Sequence, residues 1–310
     1  MIWLSWRQHR TQLAVGAGTL AAVWLILLVT EHSMTSYLHS SGLSGCLASH
    51  ASCDVLAQQF NQHFGSLLNT TDYLNFVPLL IGLFWGAPLV ARELEQGTEL
   101  LAWTQSVSRA RWLNTKLVVF LLAASAVGVA FSLLFSWWSH PFAAVGNDFA
   151  RITPHVFDFV GIAPLGYSLF ALALGIAAGV LTRRTIPAMV ITIAGFATAR
   201  FGVRALRAHL IPPLRVVLPI RGPDLHAHAD WIVNSYFVDR TGHNLGTTLN
   251  LVGCRGLAIG QCLAKNDIKR VDLYEPANRF WSLQTIEFAI FTGLAMVLLA
   301  VVAWWVTRRT

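Results

Sequence analysis

LVVFLLAASAVGVAFSLLFSWW, Leu117 to Trp138, contains no charged residue. A helix that crosses about 30 Å of hydrocarbon needs roughly 20 predominantly apolar residues, and this stretch supplies them. Five further runs repeat the pattern: Leu13–Thr30, Leu74–Ala91, Phe159–Leu181, Ile186–Ala205 and Ile286–Val306. Composition agrees, since 55% of the 310 residues are hydrophobic and only 12% charged, against roughly 25% charged in soluble domains. The chain reads as a membrane protein of six helical spans.

The first run follows Arg7 and Arg10, as a signal peptide would, but its apolar part exceeds the usual ~7–15 residues. With five spans behind it, it is expected to stay as a membrane helix. Its lead-in MIWLSWRQHR spaces Trp3 and Trp6 three apart beside those arginines. Two readings stand open: a short helix lying in the headgroup layer, or a basic flank that sets orientation.

Orientation follows from Lys and Arg in the short loops. They gather at the amino end, at Arg92, Arg109, Arg111 and Lys116, at Arg183 and Arg184, and at Arg308 and Arg309, whereas His32–Tyr73 has none and Ser139–Asp158 only Arg151. Both termini and the Ala91–Lys116 connection are therefore expected in the cytoplasm. All four cysteines then fall in loops outside, where oxidation favours pairing. Cys46–Cys53 and Cys254–Cys262 are the neighbouring pairs, with the cross-loop connectivities, free thiols and a metal site as alternatives.

Proton-coupled transport and intramembrane catalysis need ionisable groups at depth. None of the 11 histidines lies in a span, and the one acid there is Glu287, at the edge of span six. The sequence also lacks a G-x-x-x-x-G-K-[ST] phosphate cradle, so energy for uphill movement has to come from another subunit. The reading is therefore not of an enzyme, and no nucleic-acid partner is expected.

Arg200, Arg204 and Arg207 share one face of span five. The sequence allows snorkelling toward headgroups or a track for an anionic lipid or substrate. Ala171, Gly175 and Gly179 form a small-residue face on span four, expected to pack within the subunit. Asp54–Leu68 spaces its apolar residues as an amphipathic helix. DWIVNSYFVDRTGHN, Asp230–Asn244, reads as a strand and then a turn at Asp239–Gly242. DLHAHAD alternates metal-ligand types, but shows no orienting groups around them, and no metal is assigned.

The connection ARELEQGTELLAWTQSVSRARWLNTK, Ala91–Lys116, holds seven of the charges of this weakly charged chain. It is similar to the cytoplasmic motif of ABC-2 type transporter permeases. MIWLSWRQHR, GLFWGAPLVARELEQGT, LAWTQSVSRARWL and YEPANRFWSLQ resemble permeases of this type from high-GC Gram-positive bacteria. The 19 arginines against 3 lysines fit GC-rich coding. The resemblance runs the length of the chain, except that many family members carry Pro where Gln105–Val107 stand.

The resemblance implies an all-α, six-helix ABC-2 bundle, type V exporter-like, with a small extracytoplasmic domain between spans five and six. The divisions are a membrane domain 1–209, a loop domain 210–285, and span six with its tail at 286–310. It implies a permease subunit in a homo- or heterodimeric exporter in the cell membrane, with ATP and magnesium bound by a separate ABC ATP-binding subunit and no cofactor in this chain. Segment 91–116 is then the ATPase-coupling element. Gly97 breaks span two, Thr98 caps a short helix with Glu99 in its first turn, and Ser108 caps span three. Leu100, Leu101 and Trp103 form an apolar anchor, and Glu93, Glu95, Arg109 and Arg111 its polar rim. The alternative is an accessory or immunity-type membrane protein of this fold that binds a ligand or partner without transporting.

Overall fold

Span four, Ala163–Thr182, is the axis on which spans two, three, five and six pack: most of its residues from Ala163 to Val180 are buried. Alanine and glycine let neighbours come close. A Cβ on Gly175 would stand 2.7 Å from the Ala87 nitrogen, and one on Gly179 2.7 Å from the Ala87 carbonyl oxygen. Span two answers with its own glycine, since a Cβ on Gly86 would stand 2.6 Å from the Leu172 carbonyl oxygen. The small-residue face thus packs within the chain, as its spacing predicts.

In the computed structural model the described residues are 2–49, 53–97, 109–145, 151–219, 230–247 and 267–308. Among the described residues, six helices are long and apolar enough to cross a membrane. Span one belongs to one helix, Ile2–Ser40, so the lead-in continues span one rather than forming a separate interfacial helix. The amphipathic helix is Asp54–Thr71. It leads through a 3₁₀ turn, Asp72–Phe76, into span two, which comprises Val77–Ile81, a π-turn Gly82–Gly86 and Ala87–Gln96.

Span three is Arg109–Trp138, span five Thr185–Leu210, and span six belongs to Phe280–Arg308. Span four begins at Ala163 rather than Phe159. The segment before it, with a short helix Pro154–Phe157, is largely buried instead of lying in an open loop.

Two clusters mark the ends of the bundle. At the end of span six, Val302 and Val306 pack with Trp112, Leu113 and Val90. At the opposite end Phe60, Phe64, Phe135, Trp138, Phe142 and Phe280 gather beside Cys53, which is bonded to Cys46.

Between spans five and six stands an antiparallel sheet ordered β1-β4-β2-β3, from Leu214–Pro219, Trp231–Val238, Asn244–Gly246 and Lys269–Glu275. The chain is mostly helical rather than all helical. Only β2 and its turn are legible in the sequence. β3 has just three residues, β1 runs between prolines, and β4 mixes charged with apolar residues without a turn signal that isolates it. Arg279 of the linker to span six donates to the Pro212 carbonyl at 2.8 Å and pairs with Glu275 at 3.0 Å, which ties the sheet to its root.

Candidate functional site

Of segment 91–116 the two ends, 91–97 and 109–116, are described. Span two stops at Gly97, whose left-handed φ of 67° suits a residue without Cβ. One turn earlier Glu93 meets Lys116 of span three at 2.6 Å, with both side chains largely buried. The Lys116 ammonium also lies 4.4 Å from the Trp112 ring centroid. Glu95 reaches another partner: its Oε2 accepts from the Thr185 backbone nitrogen at 3.2 Å and from the Thr185 hydroxyl at 3.0 Å.

Thr185 is the first residue of span five, where helical N–H groups lack intrahelical acceptors. The preceding Arg184 supplies no side-chain cap. Glu95 is therefore a cap lent by a neighbouring helix, with its negative charge at the positive end of the span-five dipole. Three spans meet at this junction. Thr98, Glu99, Leu100, Leu101, Trp103 and Ser108 lie outside the described residues, as do Cys254 and Cys262. The Arg109 backbone opens span three.

A second ionic assembly occupies the far end of the bundle. Arg200 and Arg207 are 2% and 1% exposed and turn inward rather than toward headgroups. Arg200 pairs with Asp158 at 2.7 Å and Glu287 at 3.4 Å, donates to Asn75 at 3.2 Å, and lies 4.1 Å from the Tyr167 ring centroid. Arg207 binds Asp158 and holds Glu287 at 3.0 and 3.1 Å. Arg204 sits at the rim, 3.7 Å from both Asp72 and Asp158.

Two guanidinium groups thus face two carboxylates, and this charge balance makes their burial tolerable. The same balance leaves Arg200 and Arg207 no surplus charge for an anionic track. The spacing showed the shared face of the arginines, but their partners come from span six, the foot of span two and the segment before span four. Asp158 read as a loop residue because it lies just ahead of an apolar run.

Beside this assembly Gln284 of span six caps span four. Its Oε1 accepts from the Ile162 and Ala163 nitrogens at 3.1 and 2.8 Å, and its Nε2 donates to the Phe157 carbonyl at 2.9 Å. Among the described residues, no group of three or more His, Cys, Asp or Glu is placed to hold a metal ion.

The arrangement is mechanical. It consists of charged clasps between helices, Glu93–Lys116 and Glu95–Thr185 at one end and the arginine–acid assembly at the other. No curated protein and no solved structure matches the chain. The family pattern described as ABC-2 membrane transporter related matches residues 17–207, which include the Glu93–Lys116 and Glu95–Thr185 clasps and all three arginines. The chain belongs to that family.

Proposed function

We propose that this chain is the membrane-spanning permease subunit of an ATP-driven exporter. Two permease chains, identical or homologous, form the translocation pathway, and a separate ABC ATP-binding subunit carries ATP and magnesium and supplies the energy. Membership of an ABC-2 family supports a transport subunit, and permeases of this family generally work with such a partner.

The observation that carries the reading is the clasped junction. The last turn of span two, just ahead of residues 98–108 in sequence, carries contacts to spans three and five, so a partner that moves those residues would act on several helices at once. The partner would dock on Thr98–Ser106 through Leu100, Leu101 and Trp103, rimmed by Glu93, Glu95, Arg109 and Arg111. Both termini and this segment then face the cytoplasm. The β1–β4 sheet and the Cys46–Cys53 disulfide lie outside the membrane, and Cys254–Cys262 forms a second bridge there. The subgroup from high-GC Gram-positive bacteria remains the source the motifs suggest.

Co-purification from native membranes tests the proposal. The chain should bring with it an ABC ATP-binding subunit in a complex of two copies of each, and should hydrolyse no ATP alone. Trp103→Ala or Leu100→Arg should weaken the complex roughly thirtyfold, the effect of losing an interface hot spot of about 2 kcal/mol. An undiminished complex with both changes would remove 98–106 as the docking element.

A further inference from the structure

Glu93 and Glu95 lie two residues apart on the last turn of span two and so point in different directions, about 200° apart around the helix. Each has a different helix in its grip. Glu93 holds span three through Lys116, and Glu95 holds the first residue of span five. We propose that Glu95 is the positioning residue that passes movement of segment 98–108 to span five. This rests on the functional reading above.

Three observations carry it. Gly97 ends the helix two residues beyond Glu95, so a force on the segment arrives at the turn that bears the carboxylate. Glu95 then binds the backbone and the hydroxyl of the same residue. Both bonds are received by the one oxygen, Oε2, which holds it against the first residue of span five, and a carboxylate acceptor makes them charge-assisted. Finally, the far end of span five is anchored by Arg200 and Arg207 in the buried ion assembly.

A helix fixed at one end and gripped at the other responds by tilting. The short link through Arg183 and Arg184 from span four limits how far Thr185 can travel, since a chain spans at most about 3.6 Å per residue, but it permits that tilt. Ile186, Val190 and Ile193 near the gripped end are exposed, so the motion would displace a face that the rest of the chain leaves uncovered.

The test uses the permease–ATPase complex in lipid nanodiscs. Spin labels on unnatural side chains at positions 118 of span three and 190 of span five, 56% and 60% exposed, leave the cysteines untouched. Trapping with ATP and vanadate should shift the distance between the labels in the unaltered chain. Glu95→Ala should cut the ratio of shifted to unshifted complexes roughly fivefold, the scale on which a lost helix cap moves a two-state equilibrium, counted over assembled complexes only, because Glu95 also stands at the rim of the docking segment.

Glu95→Gln keeps an acceptor oxygen and should retain more of the shift than Glu95→Ala. Thr185→Val removes one of the two bonds, and should fall between the unaltered chain and Glu95→Ala. A Glu95→Ala complex that shifts like the unaltered one overturns the inference and leaves the transporter reading standing. An unaltered complex in which nucleotide moves neither label also overturns it. If no ATP-binding subunit accompanies the unaltered chain, the functional reading falls and takes the inference with it.

Discussion

Arg200 and Arg207 are among the largest fully buried side chains of the described residues, and both are charged. Removing one partner from a buried ionic group leaves the opposing charge without compensation, which costs about 3–5 kcal/mol. Arg200→Leu should therefore lower thermal stability markedly, as measured by the loss of monodisperse protein on heating in detergent. Adding Glu287→Leu restores charge balance, because Arg207 keeps Asp158, and should recover much of the loss. Equal stability of Arg200→Leu and the unaltered chain would show that the assembly is not a structural clasp. The sequence exposed half of this assembly. The spacing of the arginines follows from helix geometry alone, whereas the acids lie 49 and 80 residues from Arg207, and no local pattern announces such a meeting.

At the scale of elements, the spans were legible because apolar length is a bulk property of a segment. Their ends were less so, because ends depend on contacts made elsewhere. Span four starts at Ala163 where Gln284, from span six, receives the nitrogens that a local cap would otherwise satisfy. The Ala171, Gly175 and Gly179 spacing was readable as a close-packing face, but the segment it meets, Gly82–Ala87, was not. Gly175→Leu would force span two away from span four. Overpacking of this kind typically costs about 1–3 kcal/mol, and here it should also loosen the Glu93–Lys116 contact. A double-mutant cycle that combines Gly175→Leu with Glu93→Gln, read by thermal stability in detergent, should show losses that fall short of additive. Full additivity would show that the clasp is independent of the crossing.

For the whole molecule, the orientation proposed from the distribution of arginine is open to a check by cysteine chemistry. Thiol reagents added outside intact cells should label none of Cys46, Cys53, Cys254 and Cys262 until a reductant is present. Mass spectrometry should then find Cys46–Cys53, which the structure contains, and Cys254–Cys262. Labelling without reductant would remove the second bridge or the first, according to the residue modified. Labelling that requires permeabilised cells would invert the topology. The role proposed for segment 91–116 rests on resemblance. The segment's charges and Trp103 show that it differs from an ordinary loop, but local sequence does not disclose that its ends are clasped to each other through Glu93 and Lys116, and to span five through Glu95.

The π-turn at Gly82–Gly86 gives span two a tolerance of length that its neighbours lack. A wide turn within an α-helix absorbs one extra residue while the helix on either side keeps its phase. Deleting Phe84, which is 45% exposed, should let the turn close to ordinary α-helix and leave Glu93 and Glu95 aimed at Lys116 and Thr185. The same one-residue deletion at Leu94 has no slack to draw on. It would turn everything after it by about 100°, and Glu95 would no longer face span five. Span two should therefore accept a change of length at one place and refuse it a few turns later, a contrast that paired deletions scored by assembly with the ATP-binding subunit would reveal.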